Sequence, residues 1–322
     1  MKDISQLRIC STSHDFTNNK NNSGGLSAAF YTEKIWDKGT TLRIKFLDEN
    51  PSIPRTPINQ MNTTNGPIDP LQDYFSKNPN IPLTDAIIKI VKKRIEPLVK
   101  NNLKFEFVDK NSDSDIRISF DSSGGSWSKL GTDAKNTPKD QATMNLGWFD
   151  VATVIHEFGH LLGMIHEHQN PRGKTIDWND KKVFEWAEST QGWDKQKTKT
   201  NIIDRYDINS INGSNFDPLS IMLYFFPADL TNNNIGTNQN LRLSGYDAEF
   251  IAKNYGENLD EANDNFEKMY NTSISTNISK STQLANQKGT KSILNIVLIS
   301  VGIIITIIFI VFLIHHFLIK RK

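Results

Sequence analysis

Apolar and polar residues alternate over Thr40–Leu47 (TTLRIKFL), with β-branched residues among them. A period of two puts alternate side chains on opposite faces, so this stretch is predicted as a strand. Leu103–Val108 (LKFEFV) and Asp115–Phe120 (DIRISF) alternate in the same way, and Thr143–Leu146 reads as a shorter strand. The period changes over Leu83–Leu98, where apolar residues fall at 86, 87, 88, 90, 91 and 95 with lysines between them. That is the spacing of an amphipathic helix. Thr84 or Asp85 is its expected N-cap, and Pro97 limits its far end. Prolines at 51, 54, 57, 67 and 70 mark a long loop before it. Asp150–Gly163 is predicted as a second helix, followed by loops and a last helix over Gly245–Tyr255. Several strands with two helices, then a strand-poor second half, predict an α+β domain in two lobes. The chain shows no internal repeat.

The ends follow other patterns. Residues 1–27 read as a flexible leader, Asn/Ser/Gly-rich over Asn18–Gly25, without the apolar run a secretory signal needs. Glu257–Lys291 is polar, lacks a clean period and reads as a short helix or coil continuing into a flexible stalk. From Ile296 to Ile314, nineteen consecutive residues carry no formal charge. As a helix they reach about 28 Å, close to a ~30 Å hydrocarbon core. A transmembrane helix over 292–319 is therefore predicted, with Lys320–Lys322 as a basic tail. A buried core helix would be shorter and keep a polar face.

Charge and composition narrow the function. Lys plus Arg number 37 and Asp plus Glu 36, a net charge of +1. This argues against a nucleic-acid binder held by a basic field. Apolar residues make up 37%, enough for a core. Cys10 is the single cysteine, so internal disulfides and four-cysteine zinc sites are excluded. Four of the seven histidines fall between His156 and His168.

That cluster carries the chemistry. In HEFGHLLGMIH, His156 and His160 stand four apart, on one helix face, and can hold one ion together. Glu157 lies about 100° round the helix from His156, placed to approach the ion's water without being a ligand. Gly163 can take positive φ, ending the helix and turning the chain so that His166 returns as a third ligand. Three imidazoles with an open position make a catalytic metal site. Zinc, one ion per chain, suits imidazole best, and spacing alone is compatible with cobalt or iron. Val151, Val154, Ile155, Leu161 and Leu162 supply the helix's buried side. His168 reads as a residue behind the site or on the surface, not as a ligand.

HEFGHLLGMIHEHQNP resembles the zinc-binding stretch of the metzincins and, within them, of the astacin family; Glu167, His168 and Pro171 match its continuation. Ser220–Tyr224 (SIMLY) is similar to the family's Met-turn, and Leu243–Asp247 with Phe250 and Ile251 to its closing helix. Gly125–Gly131 and Ala142–Leu146 resemble the segments before the active helix, and the likeness spans about residues 28–256. It implies a two-lobed catalytic domain with a twisted mixed sheet above and little regular structure below. An extended protein or peptide substrate would pair with an upper edge strand near Ser122–Trp127. Met222 would form an apolar floor under the metal, and Tyr224 would serve the oxyanion. Glu167 resembles the residue that pairs with the freed N-terminus of the mature enzyme.

Together these expectations describe a membrane-anchored zinc metalloendopeptidase with Glu157 and Tyr224 as catalytic residues. Two other readings remain: a catalytically silent zinc-containing binding or adhesion module, and a zinc hydrolase of a non-peptide bond. Insertion by the C-terminal segment alone would leave the body facing the cytosol, as the lack of disulfides suggests. The basic tail favours the opposite orientation.

Overall fold

The computed structural model describes residues 11–12, 30–61, 67–172, 176–212 and 216–270. The transmembrane segment 292–319, the basic tail, most of the leader and the stalk beyond residue 270 lie outside the described residues. Met1–Met269 form one compact unit, and of the second, Tyr270–Lys322, only Tyr270 is described. Among the described residues no helix is long and apolar enough to cross a membrane.

In chain order the main elements are β1 (Ser11–Thr12), β2 (Phe30–Tyr31), β3 (Thr40–Phe46), α1 (Pro70–Lys77) and α2 (Leu83–Ile90). β4 (Leu103–Val108), β5 (Ile116–Ser119), β6 (Trp127–Ser128), β7 (Met144–Asn145) and α3 (Val151–Leu161) follow. The second half holds α4 (Asp180–Gln191), α5 (Lys195–Thr198), β8 (Ile211–Asn212) and α6 (Gly245–Asn254). One sheet has the order β1-β6-β7-β5-β3-β4, and β2 pairs with β8 separately. All neighbours in the large sheet are parallel except β6 and β7. The α+β class agrees with the alternation read along the chain, and the mixed sheet with what the resemblance implies. Leu42, Ile44 and Phe46 turn inward as the period of two requires, joining Ile87, Ile90, Ile155 and Phe158 of the two central helices in the main core.

Several expectations need correction. The proline-rich stretch is not all loop: Pro70 opens α1 at a position where no N–H is needed, and Asp69 caps it by accepting from Leu71 N at 2.8 Å. The same carboxylate takes two 2.7 Å bonds from buried Arg94, which ties α1 to the end of the α2 segment. α2 starts at Leu83 as expected, but its N-cap is Pro82 rather than Thr84 or Asp85. It then widens into a π-turn over Val91–Ile95 and a 3-10 turn over Glu96–Leu98. Pro97 has no N–H to offer the preceding turn, so the regular ladder stops before it. Downstream of α3 the chain is not only loop either, since α4 has an Asn179 cap and a left-handed Gly192 at its end (φ 65°).

Most of the stretch nominated as the edge strand is a turn over Asp121–Gly125, held by Asn145, and the strand itself follows at Trp127–Ser128. On its outer side the chain's own Ser11–Thr12 pair in parallel with it.

Candidate active site

α3 is fixed at both ends. Asp150 caps its start, accepting from Thr153 N at 2.7 Å and Thr56 Oγ1 at 3.0 Å. The last carbonyls of a helix lack partners within it. Here Trp36 Nε1 donates to Leu161 O and Tyr255 O–H to Leu162 O, both at 2.8 Å. Gly163 follows at φ 102°, where a side chain would be strained, and the chain turns back. That turn brings His166 under the helix. The candidate ligand atoms of His156, His160 and His166 all lie within 4.8 Å of one another, and all three residues are buried.

The tautomers follow from the partners. A carbonyl oxygen only accepts, so each ring nitrogen facing one must carry the proton. His156 Nδ1 donates to Ile221 O at 2.9 Å, and His160 Nδ1 to Met164 O at 2.8 Å. His166 Nδ1 donates to Gln169 Oε1 at 3.3 Å. The three Nε2 atoms are then lone pairs turned inward. His156 Nε2 has no hydrogen-bond partner among the described residues, and His160 Nε2 and His166 Nε2 stand 3.0 Å apart. Lone pairs that close are unfavourable unless a cation sits between them, so the donor set fits a metal. Burial holds two of the rings neutral: the pKa of His156 drops to about 4, and that of His166 falls well below its usual value, helped by the neighbouring histidines.

The turn Ser220–Tyr224 packs against α3, with Ile221 O facing His156. Met222 packs against Gly159 so closely that a Cβ there would come 2.7 Å from its sulfur. Glycine within the helix lets the methionine side chain approach this closely. Asp247 anchors the turn from α6, its carboxylate accepting from Ser220 Oγ at 2.7 Å and Ile221 N at 2.8 Å. It also accepts from Ser244 N at 2.9 Å and completes a capping box. Burial, with Asp217 nearby, raises Asp247 to about 6. Ile221 therefore joins the cap of α6 to the ring of His156.

Tyr224 leaves the turn with its hydroxyl 2.5 Å from His166 Nε2, and its ring is part of an aromatic core with Trp148, Trp186, Trp193 and Phe226. Glu157 is fully buried beside His156. His168 is not on the surface: it lies behind His166, rings 5.3 Å apart and stacked at 18°, and donates from Nε2 to Asn201 O at 3.0 Å. His156, His160, His166 and Tyr224 are thus brought together, with Met222 against α3 at Gly159 and Glu157 buried in the same helix. Two residues that bear on the site were missed. Asp247 was signalled by the Ser-x-x-Asp spacing from Ser244, and Gln169 by nothing beyond its place after His166.

A buried set of three imidazoles, with a carboxylate and a phenol beside it, defines a class: enzymes with a catalytic zinc site. Comparison with known proteins places the chain within that class. It belongs to the astacin peptidase family, whose sequence model matches residues 84–256. A structure of myroilysin is similar at 30% identity and a TM-score of 0.53, covering 71% of this chain and 99% of that one. A crystal structure of myroilysin gives 25% identity and 0.47, covering 79% and 93%. High choriolytic enzyme 1, a hatching enzyme zinc-protease of the medaka Oryzias latipes, gives 15% and 0.37, covering 74% and 100%. No curated protein matches the chain.

Proposed function

We propose that the chain cuts internal peptide bonds of protein substrates with water, and that residues 292–319 anchor it in a membrane. The observation that carries the first part is the convergence of three Nε2 lone pairs next to a buried glutamate and a phenol. His156, His160 and His166 hold the zinc, which when bound supplies a Lewis acid for the carbonyl and the water. Glu157 takes the attacking water's proton and hands it to the leaving amine. The Tyr224 hydroxyl donates to the oxygen that gains charge. The substrate lies extended along β6, where Ser11–Thr12 now pair, so leader and substrate compete for one edge.

Glu167 is suited to receive an amino group. Its Oε1 accepts from Asp217 N at 2.9 Å and Asn170 Nδ2 at 3.1 Å, while Oε2 has no hydrogen-bond partner among the described residues. Burial raises its carboxyl to about 8. An ammonium beside it would restore the charged form, in keeping with a freed N-terminus as its partner.

The test of the activity is incubation of the full chain with a denatured protein, with and without a chelator. Cleavage should vanish with the chelator and return with zinc; chelator-resistant cleavage would refute the proposal. Tyr224→Phe should lower kcat about 10²–10³-fold, the usual effect of losing one oxyanion donor, with KM little changed. A change in KM alone would make Tyr224 a substrate-binding residue.

The anchor rests on the nineteen-residue uncharged run bounded by Lys291 and Lys320–Lys322. Full chain should stay with membranes through an alkaline wash, and a chain ending at residue 291 should not. Equal release of both would remove the anchor from the account. We place the catalytic body on the cytosolic side, which glycans on Asn271 or Asn277 would disprove.

A further inference from the structure

Behind each zinc-ligand ring stands an acceptor that fixes its orientation. For His156 and His160 the acceptors are backbone carbonyls, Ile221 O and Met164 O. His166 differs, because its acceptor is a side chain, Gln169 Oε1. A glutamine amide can be turned either way, since its two ends differ little in shape. Here the orientation is set from outside. Gln169 Nε2 donates to Thr200 O at 2.7 Å and to Asp204 O at 2.9 Å. Both are carbonyls, so the amino end must face them, and the oxygen is left for His166.

The two carbonyls have a structural reason to be there. α5 runs on into a π-turn over Lys199–Ile203. Carbonyls in the last turn of a helix lack partners within it. Two successive residues near the site meet this need: His168 donates to Asn201 O at 3.0 Å, and Gln169 to Thr200 O. The backbone adds a further tie, Tyr206 N to Gln169 O at 3.3 Å. Gln169 is itself buried, and its amide hydrogens and one oxygen lone pair are used in these contacts.

We infer that Gln169 is a positioning residue for the zinc: it fixes the tautomer and angle of His166 and couples that ring to the helix end at Thr200–Asp204. This rests on the reading of His166 as a ligand. Partners behind a ligating imidazole keep its metal-facing lone pair in place, and their loss typically weakens metal binding 10–100-fold. Because the relay passes through a side chain, it can be removed without altering the backbone, unlike the supports of His156 and His160.

Two variants separate this role from simple packing. Gln169→Leu removes both the donors and the acceptor. Gln169→Glu removes the donors but keeps an oxygen for His166 Nδ1. Zinc affinity is measured by competition with a chelator on full-length chains, and melting is recorded without zinc. Gln169→Leu should bind zinc 10–100-fold more weakly than wild type. Gln169→Glu should bind it clearly more tightly than Gln169→Leu, although both lose the ties to Thr200 and Asp204 and melt earlier. Equal weakening in both, or no weakening in Gln169→Leu, overturns the inference. Nitrogen NMR of the unmodified zinc-loaded chain needs no variant: the His166 proton should sit on Nδ1, and metal bound through Nδ1 would refute the relay. In a control, His166→Ala must lose zinc affinity; if it does not, the ligand reading fails instead.

Discussion

Glu157→Gln should keep its zinc and lose cleavage by about 10³–10⁴-fold, the upper part of what a positioned general base contributes. Glutamine has nearly the same shape, so the fully buried site keeps its packing. What it lacks is basicity, and without a proton acceptor the attacking water stays a poor nucleophile. The Nδ1 atoms of the three ligand rings donate to Ile221, Met164 and Gln169, and those bonds are unchanged in the variant. Zinc content should therefore be unchanged, which metal analysis alongside kcat/KM would show. Near-normal turnover in the zinc-loaded variant would remove Glu157 from the role.

His160→Ala should abolish turnover by a different route, through loss of the metal. His160 faces His166 across 3.0 Å, nitrogen to nitrogen, a contact that zinc makes favourable. Binding that is specific to the folded chain adds about 4 kcal/mol of stability at a thousandfold excess over Kd. For a catalytic domain of this size that is roughly 8–16 °C in Tm. Wild type should thus melt substantially higher with zinc than without it, while His160→Ala shows little difference. A variant that zinc stabilises as strongly as wild type would show that the ion binds elsewhere.

The parts of the fold that were legible in the sequence are those where one face is buried over several residues. β3, β4 and α3 carry such patterns, because the sheet and the helix pack on a single core. Two-residue strands such as β6 and β8 are too short to show a period, and their pairing is decided by neighbours far along the chain, whereas β7 was legible as the short strand at Thr143–Leu146. α1 and α4 are a different case. Asp69-Pro70 and Asn179 with Gly192 are start and stop signals in the sequence, but proline and polar residues around them resemble loop composition. The metal ligands were legible because helical spacing and one glycine turn bring them together locally. Tyr224 and Met222 needed the family resemblance, since a turn 58 residues beyond His166 has no local pattern that ties it to the helix. Behind the ligands, the Ser-x-x-Asp spacing marks Asp247 as a helix cap, but its bond to Ile221, like those of Gln169 to Thr200 and Asp204, is shown only by the three-dimensional arrangement.

The most direct measurement is mass spectrometry of a denatured protein cut by the zinc-loaded full chain in water enriched with heavy oxygen. The account predicts fragments from internal peptide bonds, each new carboxyl terminus carrying one solvent oxygen, from wild type and not from Glu157→Gln with equal zinc. An intact protein in both samples, or equal fragmentation by the two chains, would contradict it.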